Sequence, residues 1–188
     1  TVKIESKNTN RYYARYFKDV KVEESPLWLK AFLTNLDVKP VNNIVDITNY
    51  ILFTYGIPMH AFDADKFGST NIVVKDNNKK QTVKTLDDSN IEITKDEILM
   101  ALGGIMGLDN SKITNDTKNV ILEVASFSKE QTRVSSKKLN LKSDSSLRFE
   151  RGIDEAIMMQ ALNHATYLFE NLGQAKTLKG ISSDEVKT

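Results

Sequence analysis

The sequence predicts an α+β fold, mostly antiparallel sheet flanked by helices in a single compact module. Apolar residues recur at helical spacing near both ends of the chain, and short β-rich segments separated by turn residues fill the middle. The connections between those segments are short, which favours antiparallel pairing. With 188 residues, 40% hydrophobic and 27% charged, the chain is long enough to bury a core of its own.

Taken in order, "SPLWLKAFLTNL" offers Ser25 as N-cap and Pro26 at the first helical position, and predicts a helix from Pro26 to about Leu36. A second helix is predicted from Asn43 to Tyr55, stopping at Gly56 with Pro58 just beyond; its β-branched content leaves a strand as the alternative. From Asn71 onward "NIVVK", "QTVKTL", "IEIT", "EILMAL" and "VILEVASF" read as strands, punctuated by Asp-Asn-Asn and Asp-Asp-Ser-Asn. "SKEQTRVSSKKL" then predicts an exposed helix. "DEAIMMQALNHATYLFENLG" predicts an amphipathic one, with Met158, Ala161, Leu162, Ala165, Leu168, Phe169 and Leu172 as its buried stripe and Gly173 as its stop. There is no internal repeat and no low-complexity segment.

Composition excludes several classes. Lysine plus arginine number 26 against 25 acidic residues, a net charge of +1, so no global field draws nucleic acid and any RNA contact must be local. The absence of cysteine removes disulfides, thiolate catalysis and cysteine-ligated zinc, with a reducing cytoplasmic compartment as the expectation. No apolar run approaches the roughly 20 residues of a membrane span, and "TVKIESKNTNRYY" is neither a signal nor a transit peptide. It also lacks an initiator methionine, so the expectation is a piece of a longer polypeptide.

Three constellations carry candidate chemistry. Asp46, Thr48 and Asn49 lie in the helix predicted from Asn43, and the turn after Gly56 returns His60 toward its end. Asp46 beside the helix dipole and Thr48 bonded to a carbonyl one turn back would be structural, whereas a polar pocket would use all four, and both remain open. His164 falls off the apolar stripe of its helix and is expected at the surface. Gly103, Gly104 and Gly107 in "ALGGIMGLDNS" admit a close approach to backbone N–H groups but match no dinucleotide or phosphate-loop pattern. In "VILEVA", Val120, Leu122 and Val124 line one strand face and Ile121, Glu123 and Ala125 the other. Both faces look buried, so the Glu123 carboxylate needs a partner or a job. Arg148 and Arg151 of "LRFERG" are its candidate ion-pair partners, or form a salt-bridge cluster of their own with Glu150.

"RYYAR", "SPLWLKAFL", "NNIVDITNYILFTYGIPMHAFDADKF", "GGIMG", "VILEVASF" and "SLRFERGID", in this order and at these separations, resemble the editing module of the beta subunit of phenylalanyl-tRNA synthetase, its third and fourth domains. The resemblance runs from about Arg11 to about Leu172 and makes residues 1–188 one editing domain. It implies hydrolysis of tyrosine mischarged onto tRNA(Phe). Thr48, Asn49 and His60 would surround the aminoacyl ester and the attacking water, a backbone N–H at Gly104 would meet the tyrosine phenol, and Glu123 would accept its proton. Gly103, Ser143 and Ser145 would form the pocket wall. Gly103 and Ser145 stand where the bacterial pattern often has alanine, and Leu108 where a further glycine is usual. The partners implied are the 3′ end of tRNA(Phe), the alpha subunit and the remaining beta-subunit domains. No cofactor is implied in the domain itself; ATP and magnesium would serve the parent enzyme. The alternatives are a non-catalytic structural or tRNA-docking module, or a stand-alone aminoacyl-tRNA deacylase.

Overall fold

Aromatic side chains crowd the segment "TNRYYARYFK", and it forms the strand on which the rest of the fold is assembled. The computed structural model describes residues 1–67, 71–76, 81–84, 90–93, 111–140 and 142–186. Strands β1 (Val2–Ile4) and β2 (Thr9–Lys18) open the chain, followed by helices α1 (Leu27–Thr34) and α2 (Asn43–Tyr55). Strand β3 (His60–Asp63) runs directly into the short helix α3 (Ala64–Phe67). Then come β4 (Ile72–Val74), β5 (Gln81–Lys84), β6 (Asn90–Ile93) and β7 (Val120–Phe127). Helices α4 (Lys129–Leu139), α5 (Asp144–Arg151) and, after a 3-10 turn at Glu155–Ile157, α6 (Met158–Leu172) precede β8 (Lys176–Thr177) and β9 (Ser182–Glu185).

The main sheet runs β3-β7-β2-β8, with β9 also pairing β2, and every pairing in it is antiparallel. A β5-β6 pair is antiparallel too. The exception to the predicted pattern is β1 with β4, which pair in parallel: the chain passes through β2, three helices and β3 between them, giving it the length a parallel return requires. Strands rather than helices are thus the first and last elements among the described residues, where the sequence predicts helices on both sides of the strands.

Both faces of the sheet are covered. On one, Leu29 and Leu33 of α1, Ile44, Ile47 and Ile51 of α2, and Ala161, Leu162, Ala165 and Phe169 of α6 pack on Phe17, Leu122 and Val124. Phe17 and Phe169 meet at 4.7 Å between ring centroids. Burying each large aliphatic side chain here is worth about 1.5 to 3 kcal/mol. The predicted α6 stripe is the one observed, with Leu172 only partly buried and Thr166 added, its hydroxyl donating to the Leu162 carbonyl at 2.8 Å. On the other face Tyr12, Ala14, Phe62, Ile121, Ala125 and Phe127 lie under Ile72 and Val74 of β4 and Phe149 of α5. Every residue of β7 is buried, as its two apolar faces predict.

Helix α2 occupies its predicted span, which settles the strand alternative. Asn42 caps it by accepting from Val45 N at 3.0 Å, and Gly56 ends it at φ +69°, a left-handed turn that glycine adopts without steric cost. Gly173 ends α6 for a different reason: a Cβ there would come within 2.8 Å of the Phe169 carbonyl oxygen. At α1 the sequence expectation is corrected. Pro26 is the cap residue and the helix begins at Leu27, because extended backbone at Pro26 turns Ser25 away to donate to Asp46 Oδ2 at 2.5 Å. Helix α4 is not simply exposed. Thr132, Ser135 and Ser136 are buried where it packs on α5, a contact made by small hydroxyls rather than an apolar stripe. The predicted strand "EILMAL" lies outside the described residues. Among the described residues no helix is long and apolar enough to cross a membrane.

Candidate functional site

Register places the predicted acid and imidazole side by side. His60 pairs directly with Glu123 across β3 and β7, and Glu123 pairs directly with Ala14 across β7 and β2. Opposed residues of an antiparallel pair project from the same face with Cβ atoms about 4.5–5.5 Å apart. The left-handed turn at Gly56 and the Pro58 that follows bring the chain out of α2 in an extended form, and it pairs with the free edge of β7 as β3. The row His60–Glu123–Ala14 lies on the sheet face opposite α2 and α6.

Glu123 is buried, and its partner is Tyr12, whose hydroxyl donates to Oε2 at 2.5 Å. This corrects the ion pair expected with Arg148 or Arg151. Helix α5 turns Phe149 toward the sheet, leaving Arg148 half-buried and Arg151 exposed, and neither forms an ion pair among the described residues. Nor do they form a cluster with Glu150, which accepts instead from Ser136 Oγ at 2.5 Å. Burial pushes the Glu123 carboxyl up from 4.5 to about 7, the Tyr12 hydrogen bond working against the rise. Tyr12, fully buried and beside that carboxylate, keeps its own proton far above the usual phenol range.

The His60 ring is half-buried as a whole but its Nε2 is enclosed, with no hydrogen-bond partner among the described residues. It stands edge-on to Phe62 at 4.4 Å between centroids. Burial lowers its pKa from 6.5 to about 4, so at neutral pH the imidazole is uncharged and retains a lone pair. An uncharged ring nitrogen without a partner, next to a carboxyl poised near neutrality, can orient a water and accept its proton.

The remaining predicted residues divide. Thr48 is buried on α2 and donates to the Val45 carbonyl at 2.7 Å, the bond that the structural one of its two readings calls for. Asp46, fully buried, accepts from Ser25 and from Val41 N at 2.8 Å and ties the start of α2 to the preceding chain. Asn49 is half-buried and makes no side-chain hydrogen bond among the described residues. Ser143 caps α5 by accepting from Ser146 N at 3.1 Å, and Ser145 is half-buried in that helix, which lies on the Glu123 side of the sheet through Phe149. Gly103, Gly104, Gly107 and Leu108 lie outside the described residues. His164 is not a plain surface residue. Its Nδ1 meets the Tyr55 hydroxyl at 3.0 Å, and Tyr50 and Tyr55 stand edge-on to it, so it joins α6 to α2. Sequence reasoning missed Tyr12; the doubled tyrosine of "RYYAR" marks a β-rich stretch, but only the sheet register couples position 12 to position 123.

Residues 8–174 match the B3/4 domain family. The chain belongs to that family. Among relatives of this B3/4 domain, the phenylalanine-tRNA ligase beta subunit of Staphylococcus aureus is 42% identical over 99% of the chain, and that of Oceanobacillus iheyensis 40% identical over 97%. The beta subunit of Streptococcus thermophilus is 40% identical over 96%. The B3/4 domain spans about a quarter of their length, 24%, 24% and 23% respectively. In fold it resembles an N-terminal fragment of the phenylalanyl-tRNA synthetase beta-subunit from Pyrococcus horikoshii, at TM-score 0.60 and 15% identity, covering 94% of this chain and 50% of that one.

Proposed function

We propose that this B3/4 domain is the proofreading module of a phenylalanine-tRNA ligase and hydrolyses the ester of tyrosine mischarged onto tRNA(Phe). The observation that carries this is the direct cross-strand pairing of His60 with Glu123, which sets a base and a phenol acceptor on one buried face. A pocket that merely tolerates an aromatic ring cannot strongly refuse an extra hydroxyl, but a pocket built to hydrogen-bond that hydroxyl leaves its polar groups unpaired when phenylalanine enters, and discrimination can reach roughly 10⁴ to 10⁵. Glu123 accepts the substrate phenol, with a backbone N–H at Gly104 as donor. The neutral Nε2 of His60 holds a water against the ester carbonyl, with Gly103, Ser143 and Ser145 at the wall. Water adds to the carbonyl carbon, the terminal ribose oxygen leaves with a proton, and tyrosine and tRNA(Phe) are released. The ester is already activated, so positioning the water and stabilising the oxyanion suffice. Phenylalanine activation, with its ATP and magnesium, belongs to the parent enzyme's synthetic site, which the alpha subunit and other beta-subunit domains complete.

The test is deacylation of tyrosyl- and phenylalanyl-tRNA(Phe) by the full-length synthetase and its Glu123→Ala variant. Loss of tyrosyl hydrolysis by about a hundredfold, with phenylalanyl hydrolysis unchanged, is expected from removing a charged hydrogen-bond acceptor. Identical rates in the two proteins would reduce the domain to a docking module.

A further inference from the structure

Resting on the editing role proposed above, we infer that Tyr12 is a positioning residue for the site: its phenol occupies Oε2 of Glu123 and reserves Oε1 as the oxygen that accepts the substrate's phenol. Tyr12 and Glu123 are diagonal neighbours on adjacent strands, since Tyr12 registers with Ala125 and Glu123 with Ala14. Diagonal positions about 7–8 Å apart are within reach of an aromatic side chain. Ala14, opposite Glu123, puts only a methyl group in the way. The contact is 2.5 Å between two buried side chains, whereas Oε1 has no hydrogen-bond partner among the described residues. One carboxylate oxygen is thus held by the protein and the other left to a ligand.

The bond has two physical effects. It fixes the rotamer of a side chain that would otherwise be restrained by packing alone, so that Oε1 is presented in one place. It also donates to the ionised form, and it is the one interaction opposing the burial that drives Glu123 to hold its proton. A protonated Glu123 offers a donor where a phenol must place its own hydrogen, and the preference for tyrosine is lost. Other ionisable groups near this face come from each packed element. His60 of β3 stays uncharged near neutrality because it is buried, and Asp184 of β9 is spent on Ile4 N at 2.6 Å. Asp65 of α3 accepts from Asn119 at 3.0 Å, Tyr16 of β2 lies near it, and α5 brings the half-buried Arg148.

The experiment measures deacylation of tyrosyl- and phenylalanyl-tRNA(Phe) between about pH 6 and pH 9 with the full-length synthetase, its Tyr12→Phe variant and its Glu123→Ala variant. The tyrosyl-to-phenylalanyl rate ratio is read at each pH. For Tyr12→Phe the ratio falls across the whole range, since Oε1 is no longer held in one place, and the midpoint at which it develops moves upward by about one pH unit. A profile that overlays wild type, while Glu123→Ala abolishes the preference, overturns the role of Tyr12 and leaves the editing site standing. A Glu123→Ala variant that keeps the preference sinks the editing site itself. Should Tyr12→Phe fail to fold, site-specific replacement of Tyr12 by 3-fluorotyrosine decides: its more acidic phenol strengthens the bond and moves the midpoint down, and an unmoved midpoint again overturns the inference.

Discussion

The two faces of the central sheet treat polar groups in opposite ways. On the helix-covered face, fully buried Asn43 accepts from Glu23 N at 3.1 Å and Ile44 N at 3.0 Å, and donates to the Lys21 and Leu172 carbonyls, each at 2.9 Å. Asp46 and Thr48 are likewise spent on neighbours. On the other face, among the described residues, His60 Nε2 is enclosed without a partner and only Oε2 of Glu123 is hydrogen-bonded. Buried arginine nitrogens are also left over, Nε of Arg11 and Arg15, yet those side chains bond through their other nitrogens, to Glu185 at 2.8 Å and Thr166 at 3.0 Å. Satisfied polar groups fix one backbone arrangement, whereas a buried group with an open valence is costly to the fold and is retained where a ligand completes it. The same segment, "NNIVDITNY" followed by "GIPMH", supplies both kinds.

Substitutions on either face test this contrast. The largest effect belongs to Asn43→Ala, which leaves four backbone groups without partners and lowers the unfolding free energy in urea by about 4 kcal/mol. Protein that remains folded should keep wild-type selectivity between tyrosyl and phenylalanyl esters. Next is Glu123→Gln. The folded carboxyl titrates at about 7 and the unfolded one at 4.5, so wild-type stability is complete below 4.5 and is lost as pH rises through 7. The glutamine variant lacks that loss and gains on wild type by about 3 kcal/mol at alkaline pH, the two converging in acid. Unfolding curves that stay parallel across this range would contradict the burial argument. For His60→Gln the sign reverses. The folded imidazole titrates at about 4 against 6.5 unfolded, so wild-type stability is present above 6.5 and is lost as pH falls toward 4. Being half-buried, the group is worth about 2 kcal/mol, and the variant's acid limb flattens by that amount. The smallest effect is Ser143→Ala, about 1 kcal/mol for a lost helix cap. A change in ester selectivity beyond that cost would put Ser143 at the pocket wall.

Much of this was legible in the sequence where local chemistry decides. Helix α2 has its cap at Asn42, its period and its glycine stop within one short stretch, and α6 carries an uninterrupted stripe. β7 was legible because eight residues with both faces apolar leave no exposed arrangement. β2 was not, since burial on both faces erases the alternation that marks a strand and Arg11 and Arg15 break its apolar run. β9, "SSDE", has no strand propensity at all and exists because β2 offers it a row of unpaired backbone groups. Within the site, Glu123 announced itself as a carboxylate in an apolar strand. Its pairing with Tyr12 did not, because long-range register leaves no trace in composition.

Strand β2 also sets a timetable. Arg11 bonds Glu185 across 174 positions, so on a ribosome adding about 5–20 residues per second β2, the first strand of the main sheet to be made, waits roughly 10 to 35 s for its last neighbour. Throughout that interval an aromatic-rich ribbon has an open margin, the kind of template on which nascent chains stick to one another. Arg11, Arg15 and Lys18, spaced along it, are the charges that keep such a ribbon apart from its copies until the tail arrives.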